Sequence, residues 1–420
     1  MKLLKVDTVD EVKIKLESYF GKTKLLTEKV HLRCAVGRYI AEDITSDVDM
    51  PQFRRSVVDG YAVVAKDTFG VSDSAPVFLN VVGTVEMGKA CDKVLLPGQA
   101  IYVPTGGMLP LGSDAMVMIE FIEKLDDITI AVYKPSAPNT GLMNQGDDFR
   151  KDMRLYTNGH RVTVKDIGML AAVGKVELEV YKRPKISIIS TGDEIVDISI
   201  IPELGQIRDI NSYTIAAFID DTGGVVNSIS IVDDVYEVLK EEVSKVLKES
   251  DIVLISGGSS AGNKDMTADI INAIGEPGVI THGIAMKPGK PTIVGVIDKA
   301  LVVGLPGHPM AAIIAYHVIV KYFIKKYYFN NEEQPFMVSA RISENIHAGE
   351  GRETYQLVTI KKELRNGDHD LKVQGTGWIA EPIYAKSGSI SQLMLADGYV
   401  RITALSEGIN ANSQVEVIRF

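Results

Sequence analysis

The spacing of apolar residues changes character several times along the chain. After Thr8-Val-Asp-Glu11, a capping-box arrangement, Val12, Leu16, Tyr19 and Phe20 recur on one helical face, and Gly21 ends the run. From Asp49 to about Pro138 the text breaks into short β-branched runs between Gly and Pro: Val77–Val82, Gln99–Val103, Ala115–Ile119 and Ile128–Val132. These predict a β-rich domain. Asn139–Arg150 is rich in Gly, Asn and Asp and reads as a linker, and Thr163 to Ala172 predicts a short helix with Thr163 as N-cap and Gly174 past its end. From Lys185 strand and helix alternate. Ile186–Ser190, Val225–Val232, Asp251–Ile255, Thr292–Ile297 and Leu301–Leu305 are strand-like. Ser212–Asp221, Met266–Ile274 and Met310 to Tyr328 are helical, as is a segment marked by Val235, Val238, Leu239, Val243, Val246 and Leu247 with a Glu241–Lys245 pair on its wet side. This rhythm predicts a parallel, doubly wound α/β sheet. After Asn330 short strands return at Glu353–Ile360, Leu371–Gln374 and Val415–Arg419, predicting a small terminal β-domain.

Length and charge narrow the picture. A chain of 420 residues suggests two to four domains, and 45% hydrophobic with 24% charged residues is an ordinary globular balance. The net charge of −10 argues against coating nucleic acid or an anionic membrane. An anionic small molecule then requires a local cluster of Lys, Arg and backbone N–H groups. Two cysteines, Cys34 and Cys91, build no disulfide framework, which fits a reducing, cytoplasmic compartment. The N-terminus has no signal-like apolar stretch. The uncharged run Ala300 to Val320 has the length of a membrane span, but Pro306-Gly-His-Pro309 cuts it into a strand, a turn and a helix starting near Pro309.

Ligands of doubly wound sheets bind beyond the carboxyl ends of the strands. Three such ends are loaded here: Ser190-Thr-Gly-Asp-Glu194, Ser256-Gly-Gly-Ser-Ser-Ala-Gly-Asn-Lys-Asp265 and Gly304-Leu-Pro-Gly-His-Pro309. The second places small residues at a helix N-terminus, which suits a phosphate cradle or simply a tight turn; Asn263 stands where a P-loop has its Lys. The same loop matches G-x-S-x-G with Ser260 as nucleophile, followed by Asp298 and His308 in hydrolase order. Met286-Lys-Pro-Gly-Lys-Pro291 holds Lys287 and Lys290 on a proline-braced turn, a seat for a small oxyanion or a solvated surface turn. Glu194, Asp233, Asp234 and Asp265 fall at strand ends, where carboxylates serve as N-caps or hold Mg²⁺ beside a phosphate. The seven histidines show no zinc pattern.

From about Thr27 onward these motifs, together with Ser56-Val-Val-Asp-Gly-Tyr-Ala62, Pro104-Thr-Gly-Gly-Met-Leu-Pro110 and Gly205-Gln-Ile-Arg-Asp-Ile-Asn-Ser212, resemble the molybdopterin molybdenumtransferases of molybdenum-cofactor synthesis, which include the C-terminal domain of gephyrin. The resemblance implies an elongated, multidomain homodimer of α/β plus β class. Residues 1–48 and 139–180 form a discontinuous linking domain, and 49–138 an inserted β-rich domain. Residues 181–329 form a doubly wound α/β domain of molybdopterin- and nucleotide-binding type, and 330–420 a C-terminal β-barrel. It implies that molybdate is inserted into adenylylated molybdopterin, with Mg²⁺ present and AMP released, and that the pterin substrate is handed over from an adenylyltransferase.

Carried over by position, Lys287, Lys290, Pro291, Arg352 and Ser387 form the molybdate pocket. Asp59, Glu194, Asp234 and Asp265 are catalytic, the last three also metal-holding. Thr105, Asp148, Ser256, Gly257, Gly258, Ser259, Pro306 and Gly307 contact the cofactor, with Asp59 and Thr105 reaching from the facing subunit. The chain departs from the family pattern at Arg54-Arg55 in place of Asp, Val57-Val58 in place of Ala-Met, Asn144 in place of Arg before Gly146-Asp-Asp148, and Gly283 in place of a basic residue. Competing readings are a molybdopterin adenylyltransferase, which the extra domains and the Lys-Pro-Gly-Lys-Pro turn argue against, a non-catalytic scaffold and a serine hydrolase.

Overall fold

The computed structural model describes residues 6–257, 266–332, 335–349, 351–363, 377–384 and 390–420. The chain forms two compact units, one of Met1–Glu42, Asn158–Ile167 and Val176–Phe420 and one of Asp43–Thr157 and Gly168–Lys175. Among the described residues no helix is long and apolar enough to cross a membrane.

The first unit is organised around a six-stranded sheet in the order Val225–Val232, Lys185–Thr191, Ile252–Gly257, Ala300–Leu305, Ile293–Ile297, Pro277–His282. The first four strands are parallel. The alternation of strand and helix predicts a wholly parallel sheet, but Ile293–Ile297 runs against all the others. The cause is local: Asp298, at φ +53°, and Lys299 make a tight hairpin into Ala300–Leu305, and antiparallel neighbours need no helical crossover. The Pro277–His282 strand, invisible in the apolar pattern, fills the edge.

Alternate side chains of each strand face opposite sides, so the sheet has two cores. Ile186, Ile188, Leu254 and Val303 pack under the Asn211–Thr222 helix and the Pro309–Phe329 segment, while Ile189, Val253, Ile255 and Val302 pack under the Tyr236–Val246 and Met266–Ile274 helices. The N-terminal helix Val9–Phe20 joins the first core. Its capping box is present, with Thr8 and Glu11 exchanging hydrogen bonds. Val9, Val12, Leu16 and Phe20 are buried, and Tyr19 is on the exposed side, contrary to the helical-face reading. On the Tyr236–Val246 helix only Leu239, Val243 and Val246 are buried. Val235 and Val238 lie exposed, and Lys245 pairs with Glu242 at 3.0 Å instead of with Glu241. The last helix starts at Pro309 as its proline predicts, and carries a π-turn at Tyr316–Val320 before it ends at Asn330.

The C-terminal strands close a five-stranded barrel. Glu353–Lys362, Trp378–Pro382, Met337–Ile342, Gln414–Arg419 and Gly398–Ile402 pair in turn, and the last pairs back to the first. Its interior is aliphatic, from Ala340, Ile342, Val358, Val400 and Val417. The Leu371–Gln374 strand expected from sequence lies outside the described residues.

The second unit holds a six-stranded sheet in the order Ala115–Met118, Gly60–Val63, Gln99–Val103, Val77–Thr84, Thr129–Val132, Ile122–Lys124. Gln99–Val103 matches expectation, and Ala115–Met118 stops short because Ile119–Phe121 turns into a short 3₁₀ helix. The interior strand Gly60–Val63 had no β-branched run to announce it. Gly60 suits this place because a Cβ there would lie 2.0 Å from the Val117 carbonyl oxygen. Within the stretch read as a linker, Leu142–Met143 pairs with Arg55–Ser56.

Candidate functional site

The candidate residues of the first unit lie along one edge of its sheet. Five strands run in one direction, so their carboxyl ends share an edge; Ile293, the start of the reversed strand, sits there too, opposite Gly304 and His282. Along this edge, in strand order, come Asp233 and Asp234, then Gly192 to Glu194, then Ser256 and Gly257, then Pro306 and Gly307, and finally the turn from Gly283 to Pro291. Six strands spaced about 4.8 Å apart make a row of roughly 24 Å.

The crevice of a doubly wound sheet opens where the strand order reverses. Here that point lies between Lys185–Thr191 and Ile252–Gly257, because the chain passes from the former outward to Val225–Val232 and then crosses back. Gly257 has φ +107°, and a Cβ on it would lie 2.0 Å from the Thr191 carbonyl oxygen, so only glycine closes the two strand ends together. Thr191 Oγ1 donates to Asp234 Oδ1 at 3.2 Å, and the Asp234 N–H donates to Asp193 Oδ1 at 3.3 Å. Glu194 is exposed on the same loop. Pro306 is buried, and Gly307 and His308 are exposed at the start of the next helix.

Asn211 is the residue that sequence reasoning missed. Its Nδ2 donates to Ser256 Oγ and to the Gly307 carbonyl oxygen, both at 2.8 Å, latching two strand-end loops to each other. Two residues before it, Asp209 Oδ1 accepts the Ser212 N–H at 3.1 Å and caps the same helix. Asp209-Ile-Asn-Ser212 stands in one of the ordered motifs, so the signal was present but carried no assigned role.

The lysine turn is held rigidly. The Gly289 carbonyl accepts from both the N–H and the Oγ1 of Thr292, at 3.1 and 2.7 Å, and Ile284 N–H donates to the Lys290 carbonyl at 2.9 Å. Met286 is fully buried beneath, and a Cβ at Gly289 would meet its Cε at 2.5 Å. Lys287, Lys290 and Pro291 are exposed. Met286–Lys287 adds as a parallel strand to the barrel, Met286 against Glu353 and Lys287 against Thr354, which brings half-buried Arg352 beside the turn. Glu353 bonds Arg401 through both oxygens, one at 3.1 Å, and also accepts from Tyr355, fixing the strand that follows Arg352. Gly283, at φ +89° with Val6 Cγ1 3.0 Å from its would-be Cβ, has a conformation and a neighbour that disfavour any side chain.

In the second unit, Asp59 Oδ1 accepts the Thr105 N–H at 2.8 Å, so two candidates meet. Their motifs clamp each other, with Ser56 N–H to the Gly107 carbonyl at 3.0 Å and Gly106 N–H to the Ser56 carbonyl at 2.8 Å. Asp148 is exposed, its N–H bonded to the Met50 carbonyl at 3.0 Å. Two departures from the family pattern sit against one another: Arg54 Nε donates to Asn144 Oδ1 at 3.2 Å.

Gly258, Ser259, Ser260, Asp265 and Ser387 lie outside the described residues. The described residues hold no group of three acidic, His or Cys side chains gathered for a metal. The hydrolase order fails on geometry. Asp298 precedes the strand Ala300–Leu305 and His308 follows it, so a strand of about 20 Å separates them.

Three family models match along the chain: the MoeA N-terminal region (domain I and II) over residues 8–174, a "Probable molybdopterin binding domain" over 187–326, and the MoeA C-terminal region (domain IV) over 339–420. The chain belongs to the MoeA family. It is 30% identical over 331 residues to a molybdopterin molybdenumtransferase of Haemophilus influenzae, covering 79% of this chain and 80% of that one. It is 32% identical over 333 residues to a protein of the same name from Nostoc sp., covering 78% and 76%. Two crystal structures of molybdopterin biosynthesis MoeA proteins from Pyrococcus horikoshii share the fold. One has a TM-score of 0.78 at 34% identity, covering 99% of both chains; the other has 0.79 at 28%, covering 99% and 100%. In this MoeA-family chain the fold matches the multidomain α/β plus β class, with its barrel, that the motifs imply.

Proposed function

We propose that this chain is a molybdopterin molybdenumtransferase, inserting molybdenum from molybdate into adenylylated molybdopterin and releasing AMP. The observation that carries this reading is the single row of candidates along one sheet edge, with carboxylates and a glycine-lined crevice at one end and a rigid cationic turn at the other. A long substrate with a phosphoanhydride in its middle fits such a row. The nucleotide end would lie over Gly257 and Gly307, two strand-end glycines that put no side chain in its way. The molybdate end would lie between Lys287, Lys290 and Arg352, whose guanidinium suits a tetrahedral oxyanion.

Asp234 and Glu194, hard oxygen donors beside the crevice, are the residues that would hold Mg²⁺, which favours one or two carboxylates plus phosphate oxygens. That ion would screen the anhydride's charge. We further propose a homodimer in which Asp59 and Thr105 of one copy complete the site of the other.

Purified protein should release AMP from adenylylated molybdopterin only when molybdate and Mg²⁺ are both supplied. Lys287→Ala with Lys290→Ala should abolish insertion and leave the melting temperature unchanged, both side chains being exposed; wild-type turnover in that variant rejects the pocket. Mixing the lysine variant with Asp59→Asn tests the dimer, since a mixed dimer regains one intact site. Absence of recovered activity rejects the shared site.

A further inference from the structure

The lysine turn has a further support, supplied by the start of the chain. The limb that leads into the turn, Gly283 to Lys287, runs between two other backbone segments of the first unit. On one side Asp7 forms a parallel bridge with Ile284. The Asp7 N–H donates to the Gly283 carbonyl at 3.2 Å, and the Asp7 carbonyl accepts from the Ala285 N–H at 2.7 Å. On the other side the Ala285 carbonyl accepts from the Glu353 N–H at 3.0 Å, where the Met286–Glu353 and Lys287–Thr354 register begins. Ala285 is therefore bonded to Asp7 through its N–H and to Glu353 through its carbonyl, at the centre of a junction of parallel segments. Register in such a ladder decides which face each side chain takes. The seating of Asp7 thus bears on where Lys287 lies relative to Arg352.

The Asp7 side chain pins this junction to its surroundings. Its Oδ2 accepts from Thr281 Oγ1 at 2.7 Å and from Lys15 Nζ at 2.5 Å, and Lys15 Nζ also donates to the Ile280 carbonyl at 2.7 Å. Thr281 is 2% exposed and belongs to the edge strand Pro277–His282, which runs directly into Gly283. Lys15 stands on the Val9–Phe20 helix, whose N-cap, Thr8, follows Asp7 in the chain. One carboxylate therefore ties the first helix and the edge strand to the base of the lysine turn. Hydrogen bonds from an ammonium group to a carboxylate are stronger than neutral ones, and the Asp7 side chain is only 15% exposed. Removing the carboxylate leaves a buried hydroxyl and an ammonium group without this acceptor.

We propose that Asp7 is a positioning residue for the oxyanion seat, holding Lys287 and Lys290 in register with Arg352 through the Ala285 junction. The proposal rests on the molybdenumtransferase reading of that turn. Asp7 acts through the turn and not on the oxyanion. A displaced turn weakens molybdate selectively, because the nucleotide end of the substrate lies over other strand ends. A plain loss of folded protein behaves differently: it lowers the apparent kcat and leaves each KM as it was.

Steady-state kinetics of the full chain test this, with molybdate and adenylylated molybdopterin varied separately. Native-state hydrogen exchange of the 283–291 peptide gives a readout independent of turnover. Asp7→Ala should raise the KM for molybdate roughly tenfold or more and leave the KM for adenylylated molybdopterin within about twofold. Exchange should quicken in 283–291 and stay unchanged in the barrel peptide 398–402. Asp7→Asn can keep an oxygen where Oδ2 stands, so it should hold the molybdate KM within about threefold of wild type. Should Asp7→Ala fail to fold, Thr281→Val carries the test, with a molybdate KM raised about twofold or more. An unchanged molybdate KM in the folded variant overturns the proposal and leaves the proposed function standing. So does an equal rise in both KM values, or an Asp7→Asn variant as impaired as Asp7→Ala. Absence of molybdate-dependent turnover in wild type rejects the functional reading and the oxyanion role with it; unchanged exchange in Asp7→Ala then rejects the bracing of the turn as well.

Discussion

Asn211→Ala removes both hydrogen bonds that tie the Ser256 strand end to the Gly307 turn. Each is worth about 0.5–1.5 kcal/mol net, so the local loss is about 1–3 kcal/mol. Ser256 is 2% exposed, and its hydroxyl keeps no other side-chain partner among the described residues, which places the cost toward the upper end. A chain of two compact units need not unfold in one step, so global denaturation would blur the effect. Native-state hydrogen exchange read by mass spectrometry is the suitable assay. Peptides covering 252–257 and 304–310 should lose protection by a factor of roughly 5–150, while those from the barrel are unchanged. Asn211→Asp separates the two bonds. Its carboxylate would instead accept from the Ser256 hydroxyl, reversing that bond, but would oppose the Gly307 carbonyl, so protection should fall mainly in the 304–310 peptide. Turnover should fall in both variants because the crevice loses its shape. Wild-type protection in Asn211→Ala would refute the latch.

Gly257→Ala should destabilise the α/β domain by at least about 2 kcal/mol and lower its melting temperature, because the added Cβ meets backbone 2.0 Å away at φ +107°; a melting curve matching wild type contradicts the close approach. Asp59→Asn keeps an acceptor for the Thr105 N–H and should fold as wild type, whereas Asp59→Ala loses about 1 kcal/mol; equal stability of the two shows that the bond is unimportant. Burial raises the Glu353 carboxyl, but the hydrogen bonds from Arg401 and Tyr355 prevail and hold it below its ordinary 4.5. Its contribution is therefore complete above about pH 4.5 and is lost as pH falls through the folded value. Glu353→Gln should flatten the fall in melting temperature over that acid range, and an unchanged pH profile rejects the assignment.

The strand and helix succession of the α/β domain was legible because its buried strands are near-continuous apolar runs with glycine at their ends. The Ala300–Leu305 strand and the helix from Pro309 followed from one proline-rich interruption. Reversal of Ile293–Ile297 was not legible, because hairpin and crossover strands carry the same apolar text and only the two-residue gap at Asp298–Lys299 tells them apart. Gly60–Val63 was missed for the opposite reason: backbone proximity selects glycine, and propensity sees no strand there. Among site residues, charged side chains on Gly-rich and Pro-rich loops stood out. Asn211 did not, since an amide acts through two partners that are adjacent only in the folded chain.

The exposure of the lysine turn bears on how it would be used. Lys287 and Lys290 are solvated on a rigid turn, and exposed ion pairs of that kind contribute only about 0–1 kcal/mol each. On the proposed reading, a molybdate ion held by them alone would exchange freely, so retention would have to come from Arg352, brought alongside by the Lys287–Thr354 register, and from whatever excludes water once the long substrate is seated. That weakness suits an oxyanion that is consumed in each turnover. Salt tests this, because screening acts strongly on exposed charges such as those of the turn. Raising ionic strength should therefore raise the KM for molybdate, and a KM independent of salt would mean that the exposed lysines do not carry its binding.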